Sequence, residues 1–241
     1  MKTFLQEKAL EKNNIQKILN NLFLVYQPII NLKKQEDSEV INFEALLRST
    51  DTAGFPQKEF CSMIKNNETN KLFLESMFTK INQIKSDKDI WINLAPQQCI
   101  YSSTINFLEA VRSSCKNLRI EITEHPITPS KIKDFENFLF ALKKLEYQWA
   151  FDDVGTGQNT LAFVLKNLNG VSRIKLSLLP FYSLKPASQN LLVKFWSSIA
   201  EENNIEFVVE GVSTKEMAQQ VWHSGGKLQQ GFFWGKPDQL Q

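Results

Sequence analysis

The sequence predicts an α/β protein: one TIM-like (β/α)8 barrel with an antiparallel first strand. Three observations carry this expectation. Eight short apolar runs read as strands, and six of them alternate with stretches of helical period. The first run ends in Pro28-Ile29-Ile30, where an open doubly wound sheet would normally place a Gly-rich turn. Polar residues, mostly carboxylates, stand at or near the ends of successive runs, where a barrel of this type builds its site.

The elements follow in order. Residues 4–22 carry Leu5, Ala9 and Leu10, then Ile15, Ile18 and Leu19, on one apolar stripe and predict an N-terminal helix. We take 1–20 as a helical extension and 21–241 as the barrel. Two strands are expected at Leu24 to Ile30 and Val40 to Leu47. The polar segment Asn31 to Glu39 between them is too short for a crossover helix, so the pair should be antiparallel. Further strands are expected at Ile90 to Leu94, Leu118 to Thr123, Trp149 to Asp152, Val171 to Leu176, Ile205 to Glu210 and, weakly, Lys227 to Gln230. Amphipathic helices are expected at Lys131 to Leu145, with Phe135, Phe138, Leu139 and Leu142 on one face, at Ser188 to Glu201 and at Thr214 to Trp222.

Composition excludes several classes. The 241 residues suit one large domain, and no linker divides them. A 42% hydrophobic content supplies a core, and a net charge of +2 lacks the clustered basic face of a DNA- or RNA-polymer binder. No apolar run is long enough for a membrane span, and the N-terminus turns polar too soon for a secretory signal. The three cysteines, Cys61, Cys99 and Cys115, share no metal or redox spacing, and with only His125 and His223 a zinc site is excluded. A reduced cytoplasm is the expected compartment.

Strand alternation places Glu44, Asn93, Glu121, Lys175 and Glu210 toward the barrel interior, and the Asp152-Asp153 pair at the end of another strand is taken with them. Five carboxylates converging there would repel one another unless divalent cations were bound. Oxygen donors suit Mg2+, Mn2+ or Ca2+ rather than softer metals, and two ions would approach charge balance. Two such ions are the recurrent apparatus of phosphodiester hydrolysis, and Lys175 fits the role of holding the water or the developing charge. Each residue alone has a structural alternative: a turn at Asp152-Asp153, a helix cap at Asn93, a snorkelling Lys175. His125 and His223 read as loop and helix residues, and Phe232, Phe233 and Trp234 as either packing residues or a base-stacking surface.

The constellation resembles the EAL-domain family of cyclic di-GMP phosphodiesterases. The motifs are Tyr26-Gln27-Pro28-Ile29, Phe43-Glu44-Ala45-Leu46-Leu47-Arg48, Ile92-Asn93-Leu94, Glu121-Ile122-Thr123-Glu124, Asp152-Asp153, Ile174-Lys175, Glu210-Gly211-Val212 and Gln230-Gly231-Phe232-Phe233, in the family's order over about 22–240. The resemblance implies that Glu44, Asn93, Glu121, Asp152, Asp153 and Glu210 are metal ligands and that Lys175 orients the nucleophilic water. It implies substrate contacts for Gln27, Arg48, Gln230 and Asp153, and a supporting role for Glu124 in anchoring the loop after Asp153. The implied reaction is hydrolysis of cyclic di-GMP to linear pGpG with two Mg2+ or Mn2+ ions, Ca2+ binding without supporting catalysis. A homodimer is compatible with the family.

The sequence departs from the family at Val154, Gln158 and Asn159 in the loop after the Asp pair, and at Ser172, Ser177 and Ser213. The loop changes bear on its packing, its coupling to dimerisation and the turnover rate. Two other functions compete: an inactive relative that binds cyclic di-GMP or a protein partner, and a glycosidase using Glu121 and Glu210 about 5 Å apart. The glycosidase reading leaves Asn93, Asp152, Asp153 and Lys175 without a task. Only about 20 residues precede the barrel, so regulation is expected from expression, oligomerisation or a separate partner.

Overall fold

The eight expected strands close into one barrel. A computed structural model describes residues 13–34, 37–84 and 86–240. The strands are β1 Leu22–Lys34, β2 Asp37–Ser49, β3 Asp89–Leu94, β4 Leu118–Ile122, β5 Trp149–Phe151, β6 Arg173–Ser177, β7 Glu206–Glu210 and β8 Leu228–Gln229. Their order around the barrel is their order in the chain. Strand β1 runs antiparallel to both β2 and β8, and all other neighbours are parallel. Tyr26 exchanges backbone hydrogen bonds with Asp238 on the side away from β2. By alternation Pro28 turns its missing N–H to that same side, where no β2 ladder bond is lost.

The helices are α1 at 13–21, α2 Gln57–Met63, α3 Asn67–Ile81, α4 Pro96–Cys99, α5 Ser102–Ser114, α6 Ile132–Lys144, α7 Leu161–Lys166, α8 Pro186–Asn203 and α9 Lys215–His223. Helices α3, α7 and α9 start at side-chain caps, Asn66, Thr160 and Thr214, each accepting from a backbone N–H three residues on. The apolar face expected on α6 is the buried one, with Phe135, Phe138, Leu139 and Leu142 against the barrel wall. Leu5, Ala9 and Leu10 of the expected N-terminal helix lie outside the described residues. The described part packs on the barrel: Leu19 is buried in the same apolar cluster as the strands, and Ile15 and Ile18 rest against it.

The polar link expected over Asn31 to Glu39 is a correction. Strands β1 and β2 run on through most of it, pairing Asn31 with Glu39 and Leu32 with Ser38, and Lys33 Nζ meets Glu39 Oε1 at 2.9 Å. Much of this hairpin end is exposed. Backbone pairing therefore proceeds there without the apolar alternation that marks strands in a sequence.

Alternation holds inside the barrel. Ile120 and Ile122 join the cluster between strands and helices, while Glu121 between them is fully buried in the interior. On β6, Arg173 and Lys175 both point inward and both are fully buried. They define two levels: Lys175 lies toward the C-terminal strand ends among carboxylates, and Arg173 lies below, its guanidinium 4.0 Å from the Trp91 ring centre.

Candidate active site

Strand parity delivers Glu44, Asn93, Glu121, Lys175 and Glu210 to one level because each sits on an inward position of a neighbouring strand, Asn93 directly opposite Glu121 in register. Lys175 is the centre. Its Nζ donates to Glu44 Oε2 at 3.0 Å and to Glu121 Oε2 at 2.6 Å, and stands 2.5 Å from Glu210 Oε1 and 3.4 Å from Asp152 Oδ1. The last two contacts are close charge pairs without hydrogen-bond geometry, since both oxygens lack a hydrogen-bond partner. Glu44 is the most heavily satisfied acid, accepting also from Asn93 Nδ2 at 2.6 Å and Gln230 Nε2 at 2.7 Å. Gln230 in turn donates to Gln27 Oε1 at 3.2 Å, and Gln27 Nε2 is tied to the Gly235 carbonyl.

These contacts decide two of the three structural alternatives. Asn93 does not cap a helix: Gln98 accepts from the Ala95 N–H at the start of α4, and Asn93 is spent on Glu44. Lys175 does not snorkel; its side chain is 0% exposed.

Electrostatics follow from burial against pairing. Burial drives the Glu121 carboxyl up to about 8, although Lys175 opposes it. Burial and then Lys175's opposing pull leave Asp152 and Glu210 raised as well, Glu210 well above its ordinary range. Asp153 is pushed up to about 7, by burial first and then by the adjacent Asp152. Glu44 is the exception. Burial acts on it most, but Lys175 and the hydrogen bonds from Asn93 and Gln230 together outweigh it and hold the group below the usual carboxylate range. Burial lowers the Lys175 ammonium, yet the four surrounding carboxylates raise it well above its ordinary value.

The Asp152-Asp153 pair stands at the start of a folded-back loop. Asp153 adopts a left-handed φ of 47°, a conformation Asp tolerates better than most residues. Its carbonyl accepts from both the N–H and the hydroxyl of Thr156. At Gly157 a Cβ would collide with the Glu124 carbonyl, so only glycine allows this approach. Glu124 anchors the loop through its backbone, its carbonyl accepting from Gln158 N at 2.7 Å. Val154, one of the departures from the family motif, is fully buried, and its N–H reaches the Lys175 carbonyl.

A cavity of about 530 Å3 is lined by Glu44, Arg48, Asn93, Asp152 and Asp153 together with apolar residues such as Leu46, Phe55 and Leu179. Arg48 holds its own strand through Nη1 to the Leu47 carbonyl. Thr123 and His125 also line the cavity, hydrogen-bonded to each other at 2.9 Å. His125, expected as a plain loop residue, thus borders the site.

One oxygen from each of Asp152, Asp153 and Glu210 lies within 4.8 Å of the others. Asp152 Oδ1, Asp153 Oδ1, Glu210 Oε1, Glu121 Oε1 and Asn93 Oδ1 are buried without a hydrogen-bond donor. Buried lone pairs without a donor are costly, and an all-oxygen set of this kind fits a hard divalent cation. What fold and site define is a closed barrel with a cluster of acids, of the donor type hard cations take, at the C-terminal ends of its strands.

Comparison with known proteins places it further. The family model of the EAL domain matches residues 10–237, and the chain belongs to that family. Among solved structures, BlrP1 of Klebsiella pneumoniae in a calcium and cyclic di-GMP complex superposes with a TM-score of 0.72 at 25% identity, covering 90% of this chain and 56% of that one. The chain therefore spans little more than half of that protein. The EAL enzyme Bd1971, bound to cAMP and cyclic di-GMP, gives 0.74 at 22% identity over 98% of this chain and 68% of that one. The PaMucR phosphodiesterase in complex with c-di-GMP gives 0.74 at 22%, covering 91% and 97%. Among the described residues no helix is long and apolar enough to cross a membrane.

Proposed function

We propose that the chain hydrolyses cyclic di-GMP to linear pGpG, using Mg2+ or Mn2+. The observation that carries this reading is the group of donor-less buried oxygens on Asn93, Glu121, Asp152, Asp153 and Glu210 around one lysine. Glu44, Asn93, Glu121, Asp152, Asp153 and Glu210 would hold two ions, with Asp153 also facing the substrate. When bound, such ions acidify water and neutralise charge on the phosphoryl oxygens.

The chain's own residues supply the rest. Lys175, buried and held protonated by its carboxylates, donates to the attacking water and fixes its position. Arg48 on the cavity wall is placed to contact a substrate phosphate, and Gln27 and Gln230 orient the dinucleotide while keeping Glu44 in place. Water attack forms one P–O bond and breaks the ester to the 3′ oxygen. The products are a 5′-phosphate and a 3′-hydroxyl, the water's protons passing to the leaving oxygen and to solvent. The buried loop keeps Asp152 and Asp153 facing this centre, with Glu124 supporting it.

Incubation with cyclic di-GMP and Mn2+ or Mg2+ tests the reading, with chelator, Ca2+, cAMP and cGMP as separate arms. Release of pGpG that chelator abolishes and Ca2+ does not support is the expected result. Binding without release in any metal would replace the enzyme by a receptor, and no binding at all would leave a protein-interaction role.

A further inference from the structure

The side chain of Asn159 is almost wholly buried, its Oδ1 is a further buried oxygen without a hydrogen-bond donor, and no role above is assigned to it. Its Nδ2 donates to the Asp152 carbonyl at 2.5 Å and to the Ile122 carbonyl at 3.3 Å. These carbonyls lie side by side. Ile122 and Phe151 are register partners at the ends of β4 and β5, and Asp152 N makes the next bond, to Ile122 O at 2.9 Å. Beyond this point the chains part, Thr123 N turning to Leu94 O on β3 and Asp153 turning back into its loop. The Asn159 carbonyl meanwhile accepts from Gly155 N at 2.8 Å and closes the loop on itself.

We propose that Asn159 is a positioning residue for the Asp152-Asp153 pair: its carboxamide clamps two strand ends where they diverge and so sets where the pair's oxygens stand. The inference rests on the reading of these aspartates as divalent-cation ligands. A carboxylate is placed by the backbone that bears it, and the Asp152 backbone is held on one side by the ladder and on the other by Asn159. Only a short amide offers two N–H groups to two carbonyls from one position. Turning the amide over would set its oxygen against both carbonyls. Aspartate would do the same with a charge, leucine would offer nothing, and serine could reach one carbonyl. Asn159 is one of the three loop positions that differ from the family motif, and the clamp gives that difference a task.

Mn2+ binding by calorimetry and turnover of cyclic di-GMP are measured on wild type and on Asn159→Asp, Asn159→Leu, Asn159→Ser and Gln158→Ala. Outer-sphere supports of metal ligands typically contribute about 10- to 100-fold in affinity or activity. That loss of Mn2+ affinity and of kcat is expected for Asn159→Asp and Asn159→Leu. Asn159→Ser should recover part of it. Gln158→Ala, which removes a side chain outside the clamp, should match wild type. Wild-type Mn2+ affinity in Asn159→Asp, or in Asn159→Ser and Asn159→Leu where the acid does not fold, overturns the proposal. A lowered Tm with unchanged affinity does so equally, because it marks a purely structural residue. If wild type binds Mn2+ but releases no pGpG, the phosphodiesterase reading fails while the affinities still judge the clamp. If wild type binds no Mn2+, both fall.

Discussion

Lys175 and Arg173 sit two residues apart on β6, face the same interior and are both fully buried. Their surroundings differ in kind. Arg173 donates through Nε and Nη2 to one carboxylate oxygen of Glu206, at 2.9 and 2.6 Å, lies over Trp91 and touches Asn42. Glu206 keeps half of its side chain in water. One cation thus meets one acid at the barrel floor, and the floor is balanced. Lys175 has three N–H donors for four carboxylates and no exposed side-chain surface. The floor is built to be filled, whereas the upper level gathers more acids than one ammonium can neutralise, and burial holds Glu121, Asp152, Asp153 and Glu210 toward their protonated forms. Ionising them together is costly without a counter-cation, which separates this level from the packing below it on the same strand.

The contrast can be broken from the upper level first. Glu44→Ala removes the acid joined to Lys175, Asn93 and Gln230. Turnover of cyclic di-GMP should fall by more than the roughly 100-fold typical of outer-sphere changes, with far-UV circular dichroism unchanged; near-wild-type turnover would refute the assignment. Lys175→Met leaves the carboxylates uncompensated. Breaking a buried pair this way costs about 3–5 kcal/mol, so chemical denaturation without metal should show that loss, and added Mn2+ should return much of it. A variant as stable as wild type in chelator would mean that the acids are already neutral.

At the floor the effect should be smaller and of another kind. Arg173→Met forfeits the stacking on Trp91, roughly 2 kcal/mol for a desolvated cation–π contact, but strands no buried charge because Glu206 reaches water. Stability should drop while kcat stays near wild type, and a large fall in kcat would show that the two levels are coupled.

A further expected effect is that of pH. Glu121 and Asp153 hold protons in the folded protein up to about 8 and about 7, but release them near the ordinary carboxylate value when unfolded. The folded state then binds more protons between about pH 5 and about pH 8, so stability in chelator falls as pH rises through that window. Melting curves should show a lower Tm at the alkaline end, and Mn2+, which replaces those protons, should narrow the difference. An equal or larger gap with Mn2+ would argue against these carboxylates as its ligands.

Much of the upper level was legible in the chain. Glu44, Asn93, Glu121, Lys175 and Glu210 are marked by period-two alternation against apolar neighbours, and alternation is a local property of strands. The apolar face of α6 was legible for the same reason with a different period. The length of the β1–β2 hairpin was not, because its outer end is polar apart from the buried Leu32 and backbone pairing makes it strand. Arg173 shares the inward parity of Lys175, two residues on, but its partners Glu206, Asn42 and Trp91 come from three other strands that no spacing brings together. Asn159 carried no signal beyond its difference from the family motif, since its role depends on two carbonyls at the ends of two strands.

The sequence by itself determined the barrel, its antiparallel first strand and the set of acids at its mouth, since these follow from periodicities within single strands and helices. Tertiary structure alone decided how those acids divide one lysine: Glu44 held ionised by three donors, Glu121 pushed up to about 8 by burial, and Asp152, Asp153 and Glu210 each with a buried oxygen that no hydrogen bond reaches. The physical reason is that a carboxylate's state is set by burial and by the donors around it, and those donors converge from distant parts of the chain only when the barrel closes.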